Sequence, residues 1–362
     1  MARRAPLRLA VAGLGAIGRA HVQRVLASGD CTLVAVTDPA PAAQAAAREA
    51  GVPLFEQLEA MLDASKPDGV ILATPTPLHV AGALACIARG IPVLVEKPVA
   101  DTQEGAQRLA QAEAASRVPV LVGHHRRYSP ALEAARAVID GGRLGRLTAF
   151  QGSATFRKPD AYFTEAPWRC RRGGGPILVN LVHEVDNMRA LMGEIVQVRA
   201  LASNAARGFE VEDTAAVALR FAGGALGTFL VSDCAAGPRS WEQTSGENQA
   251  YDRDPDEDCY VIGGDRGSLG VPTMRLRTYD GEASWQRPLR TQRLPVTRAD
   301  PLVRQLEHFC AVIRGLDAPR VSAQDAGRTL RATLAVAESA AQGGAAVAID
   351  PAGSNHFDRS TP

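Results

Sequence analysis

Three groups of residues carry chemistry by their type and spacing. In the first, Gly13-Leu14-Gly15-Ala16-Ile17-Gly18, the glycines let the backbone turn tightly and approach a pyrophosphate closely. The helix that follows offers unpaired N–H groups and the positive end of its dipole to such an anion. The second is Asp38, at the end of the next apolar run, where a carboxylate can accept from the two hydroxyls of an adenosine ribose. An N-cap ahead of Pro41 is the alternative for that residue. A carboxylate about 4 Å from a 2′-phosphate costs about 4 kcal/mol at an effective dielectric near 20, roughly a thousandfold. Residues 39–47 hold no Arg or Lys to offset it, so NAD is expected and NADP disfavoured. The third is Lys97 in Val93-Leu94-Val95-Glu96-Lys97-Pro98, at the carboxyl end of an apolar run. Pro98 biases Lys97 away from helical geometry. An ammonium there can hydrogen-bond a substrate hydroxyl and stabilise alkoxide charge as hydride departs. A Glu–Lys surface pair has the same spacing.

The elements that must position these residues alternate. Apolar runs at Leu7–Ala12, Leu33–Thr37, Gly69–Ala73, Pro92–Val95 and Pro119–Val122 read as strands. Between them fall helical stretches at Ala16–Ala27, after Pro41, at Val80–Arg89 and at Thr102–Ala115. Near-continuous Val/Ile/Leu runs alternating with helices predict a doubly wound parallel sheet. After Gly123 the pattern changes. A helix at Pro130–Asp140 and a strand at Leu147–Phe156 precede a Gly/Arg-rich loop and a helix over Pro176–Met192 that ends at Gly193. Strands are expected at Val196–Ala202, Ala215–Phe221, Ala225–Val231, Cys259–Gly263 and Met274–Tyr279, with a hairpin at Phe221–Ala225. Helices are expected at Leu302–Ile313 and Ala323–Ala341. The fold class is α/β: an N-terminal Rossmann-type doubly wound parallel sheet (1–124), then an α+β domain on a second, mostly antiparallel sheet (125–350), then a tail (351–362).

The chain has 362 residues, enough for about two domains. Hydrophobic residues make up 46% and charged residues 22%, which excludes disorder as the dominant state. A net charge of +1 gives no sign of a nucleic-acid or membrane-surface partner. The start, with Arg3 and Arg4 before an apolar run, mimics a signal peptide, but the glycine-punctuated run reads as a first strand and turn. Six scattered cysteines without a C-x-x-C pair suit free thiols in a cytoplasmic protein. The acidic run Asp252–Asp258 reads as a solvated loop without EF-hand spacing, and no metal site is expected. His124 and His125, adjacent at a strand end, should point to opposite sides.

Taken together, GLGAIG at 13–18, TPTPLH at 74–79, EKP at 96–98, GHHRRY at 123–128, WR at 168–169 and GGGPILVNLVHEVD at 173–186 resemble the glucose–fructose oxidoreductase / inositol dehydrogenase (Gfo/Idh/MocA) family, in its order and over nearly the whole chain. The resemblance implies hydride transfer to or from a hydroxyl of a sugar, cyclitol or related polyol. It also implies that the second sheet is large and open and that a homodimer or homotetramer forms through it. By the same resemblance Lys97 is the catalytic lysine and His183 the base that deprotonates the reacting hydroxyl. Thr74, Pro75 and His79 line the cofactor crevice, Glu96 neighbours the nicotinamide ribose, and Trp168 and Arg169 reach toward the cofactor.

This chain departs from the family pattern at one point. Many members carry Asp four residues before the helix histidine; here Val179 stands there and Asn180 follows. On one helix Asn180 would share a face with His183 and bind a substrate hydroxyl. Asp186 is a candidate to orient the imidazole instead. Further substrate contacts are expected from Arg127, Arg157 and Tyr162. Two other readings stay open: tightly held NAD used in a transient oxidation that drives elimination, epimerisation or glycoside cleavage, and a non-catalytic dinucleotide sensor.

Overall fold

The computed structural model describes residues 5–350; the expected tail at 351–362 lies outside the described residues. The described residues divide into two compact units, 5–129 with 299–330, and 130–298 with 331–350. In the first unit, strands β1 (Leu7–Ala12), β2 (Cys31–Thr37), β3 (Leu54–Phe55), β4 (Gly69–Leu72), β5 (Val93–Val95) and β6 (Val120–Val122) form one sheet. Its order is β3-β2-β1-β4-β5-β6, and every pairing is parallel. Helices α1 (Ala16–Ala27), α2 (Ala43–Ala50), α3 (Leu58–Ser65), α4 (His79–Ile87) and α5 (Gln103–Ser116) make the crossovers. Leu9, Ala10, Val11 and Ala12 are fully buried, as expected of a strand covered on both faces. The strand order reverses between β1 and β4, where open α/β sheets place their ligand crevice. The sequence reading missed β3 and α3, a two-residue strand and a short helix.

The second unit opens with α6 (Pro130–Asp140), β7 (Leu147–Thr155) and the single turn α7 (Asp160–Thr164). The expected helix over Pro176–Met192 is helical along its whole length, but not all of it is α. Ile177–Leu181 form a wide π-turn, and α8 (Val182–Met192) begins only after it. Strands β8 (Ile195–Ser203), β9 (Thr214–Phe221), β10 (Leu226–Ser232), β11 (Tyr260–Gly264), β12 (Gly267–Val271), β13 (Arg275–Tyr279), β14 (Leu289–Arg293) and β15 (Val347–Ala348) join β7 in a nine-stranded sheet. A short helix, α9 (Trp241–Ser245), lies between β10 and β11. The sheet order is β14-β13-β12-β11-β7-β10-β9-β8-β15, antiparallel except where β7 pairs with β10. The expected hairpin closes with Phe221 N–H donating to the Ala225 carbonyl at 2.9 Å. Along β9, Ala215, Val217, Leu219 and Phe221 are buried while Ala216, Ala218 and Arg220 are exposed, the two-residue period of a half-covered sheet. Phe150, Phe221, Phe229 and Tyr260 gather on the buried face.

Residues 299–330 fall in the first unit rather than in the 125–350 segment to which the sequence reading assigned them. Helix α10 (Pro301–Ile313) presents Leu306, Phe309 and Cys310 to a cluster that includes Leu9, Val11, Leu33 and Ile71. Asp300 caps it, accepting from Leu302 N–H at 2.8 Å, and also takes Arg24 Nη2 of α1 at 2.7 Å. The division between the units falls within α11 (Ala323–Ala341).

Candidate active site

In the first unit the three glycines do three different things. Gly13 has φ +90°, and a Cβ there would stand 2.4 Å from the Ala73 carbonyl oxygen, so the turn lies directly on the end of β4. A Cβ on Gly18 would stand 1.8 Å from the Gly13 oxygen, so only glycine lets α1 pack onto the turn. Gly15 faces open space, with nothing within 4 Å of a Cβ, and it caps α1 without a side-chain hydrogen bond. Ala16 and Ile17 begin the helix, whose first N–H groups are thus left for an anion.

Asp38 holds this turn. Its Oδ2 accepts from Leu14 N–H at 2.6 Å and its Oδ1 from Ala40 N–H at 2.8 Å. The N-cap alternative fails, because α2 starts at Ala43 with Ala42 before it. Thr74 follows β4, and its buried Oγ1 has no hydrogen-bond partner among the described residues. An orphaned hydroxyl beside a cradle of open N–H groups fits a dinucleotide. Pro75 leads into a 3₁₀ turn at Thr76–Leu78. His79 is buried between two carbonyl oxygens, Thr74 O and Pro98 O, each 2.8 Å from a ring nitrogen. It staples the segment after β4 to the segment after β5.

Glu96 is buried, its Oε1 2.8 Å from His21 Nε2 and its Oε2 accepting from Lys97 N–H. Burial works against its ionisation. The His21 hydrogen bond and the charges of His21, His125 and Lys97 outweigh that and hold the carboxyl below the usual glutamate value. A Cβ on Gly123 would stand 2.9 Å from this carboxylate, so the glycine makes room for it. Sequence reasoning missed His21, since no spacing links position 21 to position 96. Lys97 stands half-buried two residues beyond β5. Arg127 is tied to Asp325 at 3.5 Å. His124 and His125 do not alternate as strand residues: β6 ends at Val122, and His125–Tyr128 form a 3₁₀ turn.

In the second unit His183 is the second residue of α8 and is nine-tenths buried. Asn180 sits in the π-turn that leads into α8, three residues before His183. Its Oδ1 accepts from Lys158 Nζ at 2.8 Å. Lys158 was not singled out from sequence, although Arg157-Lys158-Pro159 follows β7 after one residue, Phe156. Burial pushes its ammonium down to about 8, with Asp233 working against that shift. Trp168 is exposed, and the Arg169 guanidinium lies 3.7 Å from the centre of the Tyr162 ring. Asp186 is buried, as is Glu184, which accepts from the Tyr260 hydroxyl. Asp258, placed by sequence in a solvated run, instead accepts from Thr273 N–H at 2.9 Å. Among the described residues no group of three or more His, Cys, Asp or Glu could hold a metal ion.

The parallel sheet, its glycine turn and the acid after β2 define a dinucleotide-binding Rossmann domain. Residues 7–124 match the family model described as oxidoreductase family, NAD-binding Rossmann fold, and residues 132–270 match the GFO/IDH/MocA C-terminal domain. The chain belongs to the GFO/IDH/MocA family. It is 35% identical over 195 residues to an inositol 2-dehydrogenase from Streptomyces avermitilis, covering 52% of this chain and 54% of that protein. It is 30% identical over 294 residues to a 1,5-anhydro-D-fructose reductase from Ensifer adhaerens, covering 77% and 79%. The chain spans about half the length of several of the curated relatives it matches. Among solved structures, the WlbA dehydrogenase from Bordetella pertussis, in complex with NADH and UDP-GlcNAcA, superposes with a TM-score of 0.77 at 25% identity, covering 96% of this chain and 99% of that one.

Proposed function

We propose that the protein is an NAD-dependent oxidoreductase that moves a hydride between the nicotinamide and a carbon bearing a hydroxyl on a sugar, cyclitol or related polyol. The observation that carries this reading is the glycine cradle: Gly13 pressed on β4, Gly18 pressed on Gly13, and Gly15 facing open space beside Asp38. The names of its relatives, an inositol dehydrogenase and an anhydrofructose reductase, support the substrate class.

When bound, the nicotinamide accepts or donates the hydride. The residues of this chain do the rest. The α1 N-terminus and the Gly13–Gly18 backbone hold the pyrophosphate, Asp38 accepts from the ribose hydroxyls, and Thr74 Oγ1 gains a partner. Lys97 donates to the reacting hydroxyl oxygen and stabilises the charge left on it. His183 takes the hydroxyl proton during oxidation and returns it during reduction.

Two further readings belong with this proposal. Leu201, Leu226 and Leu230 are 64%, 54% and 42% exposed, and Ala216 pairs with both Leu230 and Leu201, so apolar residues run in a row across the outer sheet face. Such a patch supports a homo-oligomer built on this face. None of the six cysteines forms a disulfide, which supports a cytoplasmic setting.

The test is a panel of sugars and cyclitols with NAD, followed at the nicotinamide absorbance. NADH in stoichiometric excess over enzyme supports the dehydrogenase; product formed without net NADH replaces it with the transient-oxidation reading. Lys97→Ala is expected to abolish turnover while NAD affinity stays within about tenfold. Retained turnover in that variant removes the lysine from the mechanism.

A further inference from the structure

Where β7 ends, the main chain stays fixed. Phe156 N–H donates to the Ser232 carbonyl at 3.1 Å and Lys158 N–H to the Asp233 carbonyl at 2.9 Å. That anchors the Lys158 stem and brings its ammonium among Asn180, Asp233 and the Tyr162 ring, at 2.8, 3.6 and 4.7 Å. Asp233 is a poor partner for it, because Arg207 Nε already holds the other carboxylate oxygen at 2.8 Å. Two guanidiniums, Arg169 and Arg207, also act on Lys158, and Arg207 is itself shared between Asp233 and Asp160, the latter 3.6 Å away. A buried ammonium whose carboxylate neighbour is already held by a guanidinium is costly unless something further compensates it.

The hydrogen-bonding inventory points the same way. Asn180 spends its carbonyl oxygen on Lys158, which leaves Nδ2 without a partner among the described residues. Arg169 lies over the same Tyr162 ring, and its buried Nε has no partner either. Lys158 Nζ, Asn180 Nδ2 and Arg169 Nε are all donors. A hydroxyl both donates and accepts, whereas a carboxylate only accepts, so a cluster of donors matches the carboxylate more fully.

We propose that Lys158, with Asn180 and Arg169, is a subsite for a carboxylate of the substrate, so that the polyol oxidised is a sugar acid rather than a neutral sugar. The proposal rests on the oxidoreductase reading for the word substrate, and on these residues alone for the anion.

The experiment uses the full chain and matched sets: glucose, gluconate, glucuronate and glucose 6-phosphate, and the corresponding galactose compounds, at constant ionic strength. NADH formation and the NAD-saturated melting temperature are read for each. The acids are expected to be the better substrates. Lys158→Met should lower the acid-to-neutral ratio of kcat/KM by roughly thirtyfold or more, about 2 kcal/mol, and Lys158→Arg should keep most of it. A neutral preference, or a ratio that Lys158→Met leaves unmoved, overturns the subsite while the oxidoreductase reading stands. A preference for the phosphate esters overturns the carboxylate. Should no compound yield NADH, acids that raise the melting temperature of the parent but not of Lys158→Met uphold the subsite while hydride transfer falls. If no acid raises it, the subsite falls too.

Discussion

Lys158→Met removes a buried charge and keeps a stem of similar length. The parent ammonium is pushed from the ordinary lysine value of 10.5 to about 8 by burial. At about 1.4 kcal/mol per tenfold change in proton affinity, holding it charged at pH 7 costs the folded state about 3 kcal/mol. The variant loses the Asn180 hydrogen bond, worth about 1 kcal/mol, and leaves Asp233 paired with Arg207. At pH 7 it should therefore be more stable than the parent by about 2 kcal/mol. Between about pH 8 and 10.5 the unfolded parent binds a proton that the folded parent does not, so parent stability from this group rises with pH. The variant's advantage should shrink and then reverse across that window. Urea unfolding of both proteins at several pH values from 7 to 10.5 gives the difference directly, since their other titrating groups are shared. A difference that ignores pH, or a variant less stable at pH 7, would mean the ammonium is well compensated in the folded chain, and the reasoning fails.

Gly15→Ala should leave the melting temperature nearly unchanged, since a Cβ there meets nothing within 4 Å, yet weaken NAD binding by tenfold or more as measured by calorimetry. Gly13→Ala should instead destabilise the first unit by several kcal/mol, because φ is +90° and the Cβ collides with the Ala73 carbonyl. Asp38→Ala frees Leu14 N–H and removes the charge facing a 2′-phosphate; the ratio of NAD to NADP affinity should fall by two to three orders of magnitude, and an unchanged ratio would remove the ribose role. Glu96 is held below the usual glutamate value, so it stabilises the fold above about pH 4.5 and that contribution fades as the pH falls below it. His21→Leu strands the buried carboxylate and should cost about 3–5 kcal/mol near pH 7 in thermal or urea unfolding.

What the sequence determined by itself was local or periodic. Glycine spacing, the acid after the second strand and uninterrupted Val/Ile runs specify a parallel sheet with a phosphate turn, because each follows from backbone sterics within a few residues. The same holds for α1 and α11, whose ends were read correctly from their periodicity. Elements with weak patterns were not legible: β14, Leu-Arg-Thr-Gln-Arg, is exposed throughout, and β12 is glycine-rich. Tertiary structure decided what depends on distant neighbours. Position 21 meets position 96, α10 returns to the first sheet, and Lys158 meets Asn180 and Asp233. Asn180 lies in the π-turn that leads into α8, and its partner is Lys158, which no spacing along the helix indicates. Buried charges need partners, and which partner arrives is settled only when strands far apart in sequence are packed side by side.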